Sequence, residues 1–181
     1  MILFEGCRTK ICKSILKKRI KKRNRKVVAR GLNQASSLGI IFDANKKEDV
    51  SLIKALLKEL PGVKELSAIG YYSVKKVPHD YISDKSWYFF TPNECDFLFR
   101  PKGEYFDAFI EKKFDILLVL DNSNHTPIEW LAAMSLSGFK AGRSGYYDHV
   151  LDFMIELKEG GTERLLKELK HYLGNLNNQN A

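Results

Sequence analysis

The chain has only three cysteines, Cys7, Cys12 and Cys95, and no two of them share a CxxC spacing. An odd, scattered set leaves no disulfide framework and favours a reducing compartment. Cys7 and Cys12 stand five apart with no histidine nearby, which argues against zinc. They read as two small residues on a helix, and Cys95 as a loop residue. No apolar run approaches the ~18 residues of a membrane span. The start of the chain is apolar before it is charged, the reverse of a secretory signal, so a cytoplasmic protein is expected. The familiar phosphate loops are missing: no Gly-x-Gly-x-x-Gly follows a strand, and no Walker-type Gly-Lys-Ser or Gly-Lys-Thr occurs. The first strand-to-helix turn has no glycine, so a dinucleotide finds no close backbone approach there. There is no Gly-x-Ser-x-Gly elbow and no His-Glu-x-x-His. The four histidines, His79, His125, His149 and His171, fall in separate segments without metal spacing. No catalytic set, cofactor or metal site is therefore expected, and the reading leans away from an enzyme.

Acidic residues are scarce in the first part of the chain: only Glu5 precedes Asp43. Twelve Lys and Arg residues lie between Arg8 and Arg30, giving residues 1–42 a net charge of +11; eighteen basic and twenty-one acidic residues leave the rest at −3. Residues 8–26 read as a basic helix with a narrow apolar stripe, Ile11, Ile15 and Cys12, Leu16, Ile20. Residues 27–37 read as a tether. Like charges four apart repel, so this helix is marginal alone and firms up against a partner or against its own body. The nucleic-acid-binding candidates are Lys13, Lys17, Lys18, Arg19, Lys21, Lys22, Arg23, Arg25, Lys26 and Arg30. RNA or a ribosome is the expected partner, through phosphate neutralisation and counterion release. An anionic membrane is the alternative, weakened by a stripe without tryptophan; no recognition-helix pattern for DNA bases is present. A solvated extension is the plain alternative to both.

From residue 38 onward, element types alternate. Strands are expected at 38–42, 63–72, 87–90, 97–99, 115–120, 139–141 and 150–157. Helices are expected at 46–60, capped by Asn45, at 103–113, from a Thr126 cap to about 137, and at 162–173, with Gly174 as a stop. The continuous apolar runs of the strands mark burial on both faces. The expectation is a single α/β domain over 38–174: a doubly wound, mainly parallel sheet of about five strands, Rossmann-like or flavodoxin-like. Residues 175–181 read as a disordered tail. Strand order and oligomeric state are not readable.

Ligands in such sheets sit beyond the carboxyl ends of the strands. That rule selects Asp43 after the first strand and the loop 121–126 after the central one, with Asp121, Ser123 and His125. Arg143, after Gly142, is placed to reach a phosphate in the same crevice. These five are the ligand-binding candidates, for a nucleotide or sugar phosphate. Taken singly they also read as strand-end carboxylates accepting backbone N–H groups, a loop histidine beside a cap and a solvated arginine. Trp87–Phe90 and Phe97–Phe99 read as core filling or base-stacking surfaces, Tyr146 and Tyr147 as an exposed pair or sheet-edge cover, and Glu129 and Glu156 as helix-start and strand-edge charges.

The segments Leu38-Gly39-Ile40-Ile41-Phe42-Asp43-Ala44, Ile69-Gly70-Tyr71-Tyr72, Trp87-Tyr88-Phe89-Phe90-Thr91-Pro92, Phe114-Asp115-Ile116-Leu117-Leu118, Pro127-Ile128-Glu129-Trp130 and Phe139-Lys140-Ala141-Gly142 together resemble a bacterial family of small α/β proteins of unknown function. The resemblance covers nearly the whole chain, including the basic lead, and implies no activity. Residues 114–142 also resemble part of the amino-terminal half of heptosyltransferase-like glycosyltransferases. Those enzymes hold a nucleotide sugar with a second Rossmann domain, for which this chain has no room.

Overall fold

The structure is a computed structural model that describes residues 2–76, 78, 79 and 82–176, with side chains from residue 6. Residues 177–181 of the tail expected over 175–181, and Asp80 in the irregular stretch before the third strand, lie outside the described residues.

Six strands form one all-parallel sheet: β1 (Ser37–Asp43), β2 (Glu65–Tyr71), β3 (Trp87–Phe90), β4 (Ile116–Leu120), β5 (Phe139–Arg143) and β6 (Phe153–Ile155), in the order β3-β2-β1-β4-β5-β6. This is the doubly wound architecture the alternation implied, with one more strand than expected. The strands β1 and β4 pair from Leu38 with Ile116 to Phe42 with Leu120. All five β4 residues are buried, as an apolar run covered on both faces should be. The helices α2 (Lys47–Lys58) and α5 (Thr162–Asn175) pack together on one face, over a core that includes Ile40, Phe42, Leu118 and Leu165. On the other face α4 (Thr126–Met134) packs against α1 (Ile2–Ile20) and α3 (Glu104–Glu111), over Ile41, Phe114, Leu117 and Leu131.

The basic lead is part of this second face. Cys12 and Leu16, two members of its apolar stripe, are buried in the α4 core, while Ile11 is half exposed. The helix stops at Ile20 rather than at 26. Residues 23–31 then run as a strap pinned to the body. The Arg23 Nε and Nη2 donate to the Met134 carbonyl at 3.0 and 2.6 Å, meeting an acceptor that the end of α4 leaves without an intrahelical partner. Arg25 donates to the Ser137 carbonyl at 3.0 Å and, through two nitrogens, to the Asp152 carboxylate at 2.8 and 2.5 Å. The Val28 N–H donates to the Gly138 carbonyl at 3.0 Å, and Arg30 pairs with Asp115. These anchors take residues that would otherwise continue the helix.

Other boundaries moved for local reasons. Phe97–Phe99 form no strand: Asp96 accepts N–H groups from Leu98 and Arg100, Phe99 takes a left-handed φ of 61°, and the Arg8 guanidinium lies 4.3 and 4.1 Å from the Phe97 and Phe99 ring centres. The last strand shrinks to three residues because Val150 and Leu151 turn back onto the Tyr147 carbonyl. Gly174 does not stop α5, which runs through Asn175. No described helix is long and apolar enough to cross a membrane.

Candidate functional site

In this strand order the chain leaves β1 toward β2 on one side and returns to β4 on the other. The gap between the carboxyl ends of β1 and β4 is therefore the switch point where open α/β sheets bind ligands. Asp43 ends β1, and Asp121 follows β4 directly. Four of the five residues selected from the sequence meet there. The Ser123 hydroxyl donates to Asp43 Oδ2 at 3.1 Å. His125 Nδ1 lies 3.1 Å from Asp121 Oδ1. Asp43, Asp121 and His125 each bring a donor atom within 4.8 Å of the others.

The fifth residue, Arg143, goes elsewhere. Its guanidinium donates to Asn122 Oδ1 at 3.1 Å and to the Leu157 and Gly160 carbonyls at 3.0 and 3.3 Å. It ties the loop after β4 to the turn before α5, so it serves as a clamp there.

Asp121 is 1% exposed and its oxygens are fully engaged. Oδ1 accepts the Ser123 N–H at 2.8 Å and faces His125 Nδ1; Oδ2 accepts the His125 N–H at 2.9 Å and the Tyr147 hydroxyl. That uses about four acceptor positions, the capacity of a carboxylate. Burial alone would push this carboxyl up, but the His125 hydrogen bond and charge and the Tyr147 hydrogen bond outweigh it and hold it below the ordinary carboxylate value. The His125 imidazole mirrors this: burial pulls it down, while the Asp121 hydrogen bond and the charges of Asp121 and Asp43 win and raise it. Asp43, 9% exposed, accepts the Asn45 N–H at 2.9 Å as well as the Asn45 side-chain amide.

Three members of this network were not legible beforehand. Asn45 does not cap α2, whose N-cap is Lys46 without a side-chain bond. It bridges Asp43 to the Ser73 N–H and hydroxyl, at 3.1 and 2.8 Å, joining the ends of β1 and β2. Tyr147 is 1% exposed, not an exposed pair with Tyr146; its hydroxyl reaches in from the loop after β5 to Asp121. The Tyr71 ring packs edge-on against His125, 5.1 Å between centres. The one advance signal was the Asp43-x-Asn45 spacing, which suits a side chain bonding the backbone two residues on.

The chemistry of the crevice follows. Nδ1 of His125 is held by Asp121, an arrangement that fixes the ring and leaves Nε2 as the nitrogen not bound to that carboxylate. A cation could ligate the three donors only by displacing bonds Asp121 already makes. A bare phosphate meets two carboxylates, and Asp121 already takes the Ser123 and His125 amides ahead of α4, whose first turn also carries Pro127. The crevice therefore suits hydroxyl or cationic groups.

The basic candidates divide. Lys13 pairs with Glu129 at 3.2 Å, Arg23 with Glu111 at 2.7 Å, Arg25 with Asp152 and Arg30 with Asp115. Arg19 lies over the Trp130 ring at 5.5 Å. These five are turned to the body. Lys17, Lys18, Lys21, Lys22 and Lys26 are exposed and meet no carboxylate among the described residues. Glu129, expected as a helix-start charge, does stand in the first turn of α4, where it is 2% exposed beneath α1, between Lys13 and His149.

No curated protein and no solved structure matches this chain. The model of the family of unknown function DUF6913 matches residues 8–176, and the chain belongs to that family.

Proposed function

We propose that the chain binds a small polar ligand, rich in hydroxyl groups or cationic, in the crevice between the carboxyl ends of β1 and β4. The observation that carries this is the convergence of Asp43, Asp121, Ser123 and His125 at the switch point of the sheet. Asp43 offers an acceptor to the ligand, and the Ser123 hydroxyl, its hydrogen already given to Asp43, offers its oxygen lone pairs. Asp121, with Tyr147 behind it, orients His125, which is placed for proton exchange through Nε2. The test is a thermal-shift panel of nucleosides, free sugars, polyols and amines beside their phosphorylated counterparts. A ligand at roughly 100 times its Kd adds about 2.7 kcal/mol. The expected result is a shift with unphosphorylated members that vanishes in Asp43→Asn and His125→Ala. A flat panel, or a shift that survives both substitutions, counts against the reading.

A second reading rests on a separate observation, the unpaired lysines of α1 and the strap. It assigns them a polyanionic partner, RNA foremost. Replacing Lys17, Lys18, Lys21 and Lys22 by Gln should abolish RNA retention on filters while leaving the fold intact. Retention unchanged by those substitutions sinks this reading. Binding to anionic vesicles but not to RNA reassigns the surface to a membrane.

A further inference from the structure

The switch-point crevice makes no use of Lys140. The β5 strand turns Lys140 toward the α4 face, where it is 2% exposed. Its ammonium donates to the Ala133 carbonyl at 3.3 Å. The nearby acid, Asp152, is committed: it accepts the backbone N–H of Lys140 at 2.8 Å and the paired nitrogens of Arg25. Arg23, Arg25 and His149 border the same cleft, a space of about 190 Å³ between the strap, the end of α4 and the start of the 150s loop. His149 is itself held by Glu129 at 3.1 Å. The amine thus sits out of water with two guanidinium groups around it. Burial, then Arg25, then Arg23 push it down, against the pull of Asp152, to about 7. A lysine desolvated beside other cations is the ordinary route to a neutral, nucleophilic amine.

We propose that Lys140 is a reactive amine that forms an imine with a small carbonyl compound entering the cleft between the strap, α4 and β5. The volume suits a compound of roughly three or four carbons. The nitrogen lone pair adds to the carbonyl carbon, and the carbonyl π pair moves to oxygen. One proton passes from nitrogen to that oxygen, giving a carbinolamine; the second nitrogen proton follows as the hydroxyl departs, water leaves, and a C=N bond remains. The surrounding guanidinium groups favour a carbonyl compound that also carries a carboxylate, a short 2-oxo acid, over a neutral aldehyde.

The test uses the whole unmodified chain. It is incubated with pyruvate, or with acetaldehyde as the neutral counterpart, and with cyanoborohydride, which delivers hydride to the imine and fixes it as a secondary amine. Peptide mass mapping then locates the adduct. The expected result at pH 7 is an adduct on Lys140 forming at least ~10-fold faster than on Lys17, Lys18 or Lys21, with pyruvate ahead of acetaldehyde. Its rate should level off just above neutral pH while that of the exposed lysines keeps rising. Adducts confined to exposed lysines, or a Lys140 rate no higher than theirs, overturn the proposal. Because the adduct is read on the wild-type chain, the test does not depend on the folding of Lys140→Met, which serves to confirm the peptide assignment.

Discussion

Asp121 and His125 show how local chemistry sets a testable response to pH. The raised imidazole contributes stability that is complete below its unfolded value of about 6.5 and is lost as pH rises through the raised folded value. The lowered carboxyl contributes stability present above about 3.9 and lost as pH falls through its depressed folded value. The pair therefore stabilises the fold most between roughly pH 4 and 6.5. An NMR titration should place the His125 midpoint above the ordinary histidine value. In Asp121→Asn burial remains with only the weaker pull of Asp43 against it, and the midpoint should fall; an unmoved midpoint refutes the pairing. Asp43, Asp121, Ser123 and His125 were legible because their positions follow strands whose apolar runs are unmistakable. Arg143 and Tyr147 were misplaced, and Lys140 was passed over, for one reason: which acceptor a long side chain reaches depends on loops folded far away, and no local pattern encodes that.

At the scale of elements, apolar stripes were read well and ends poorly. The stripe on α1 was seen, and Cys12 and Leu16 do bury it. Its end at Ile20 depends on acceptors at Met134, Ser137 and Asp152, more than a hundred residues away in sequence. The same holds for Asn45, drawn from a cap position to Asp43 and Ser73. If α1 is a packed element, its faces must differ in energetic weight. Leu16→Ala, at 2% exposure, should cost about 2–4 kcal/mol, while Ile11→Ala, at 51%, should cost well under 1 kcal/mol. Denaturant titrations of both variants measure this. Equal, small costs would mean that the helix detaches freely in solution.

The whole molecule is legible in class and opaque in order. Alternating apolar runs and amphipathic stretches gave the doubly wound sheet, but nothing in the spacing distinguishes β4 pairing with β1 from β4 pairing with β3. The charge segregation was real, yet its meaning changed: four of the twelve basic residues between Arg8 and Arg30 meet carboxylates of the body. With four to six lysines left to meet phosphates, RNA affinity should fall roughly a hundredfold between 50 and 200 mM salt, a slope set by the counterions each contact releases. A steeper slope would mean that the paired arginines leave their carboxylates on binding.

The strap adds a matter of timing. Arg25 precedes Asp152 by 127 residues. At ~5–20 residues per second, synthesis of the intervening chain takes roughly 6–25 s. Over that interval Arg25 has no carboxylate to meet, although Glu111 and Asp115, the partners of Arg23 and Arg30, are made earlier. The Arg25 anchor of the strap must wait for Asp152, and a chain stalled before that residue should hold polyanions more tightly than the finished protein does.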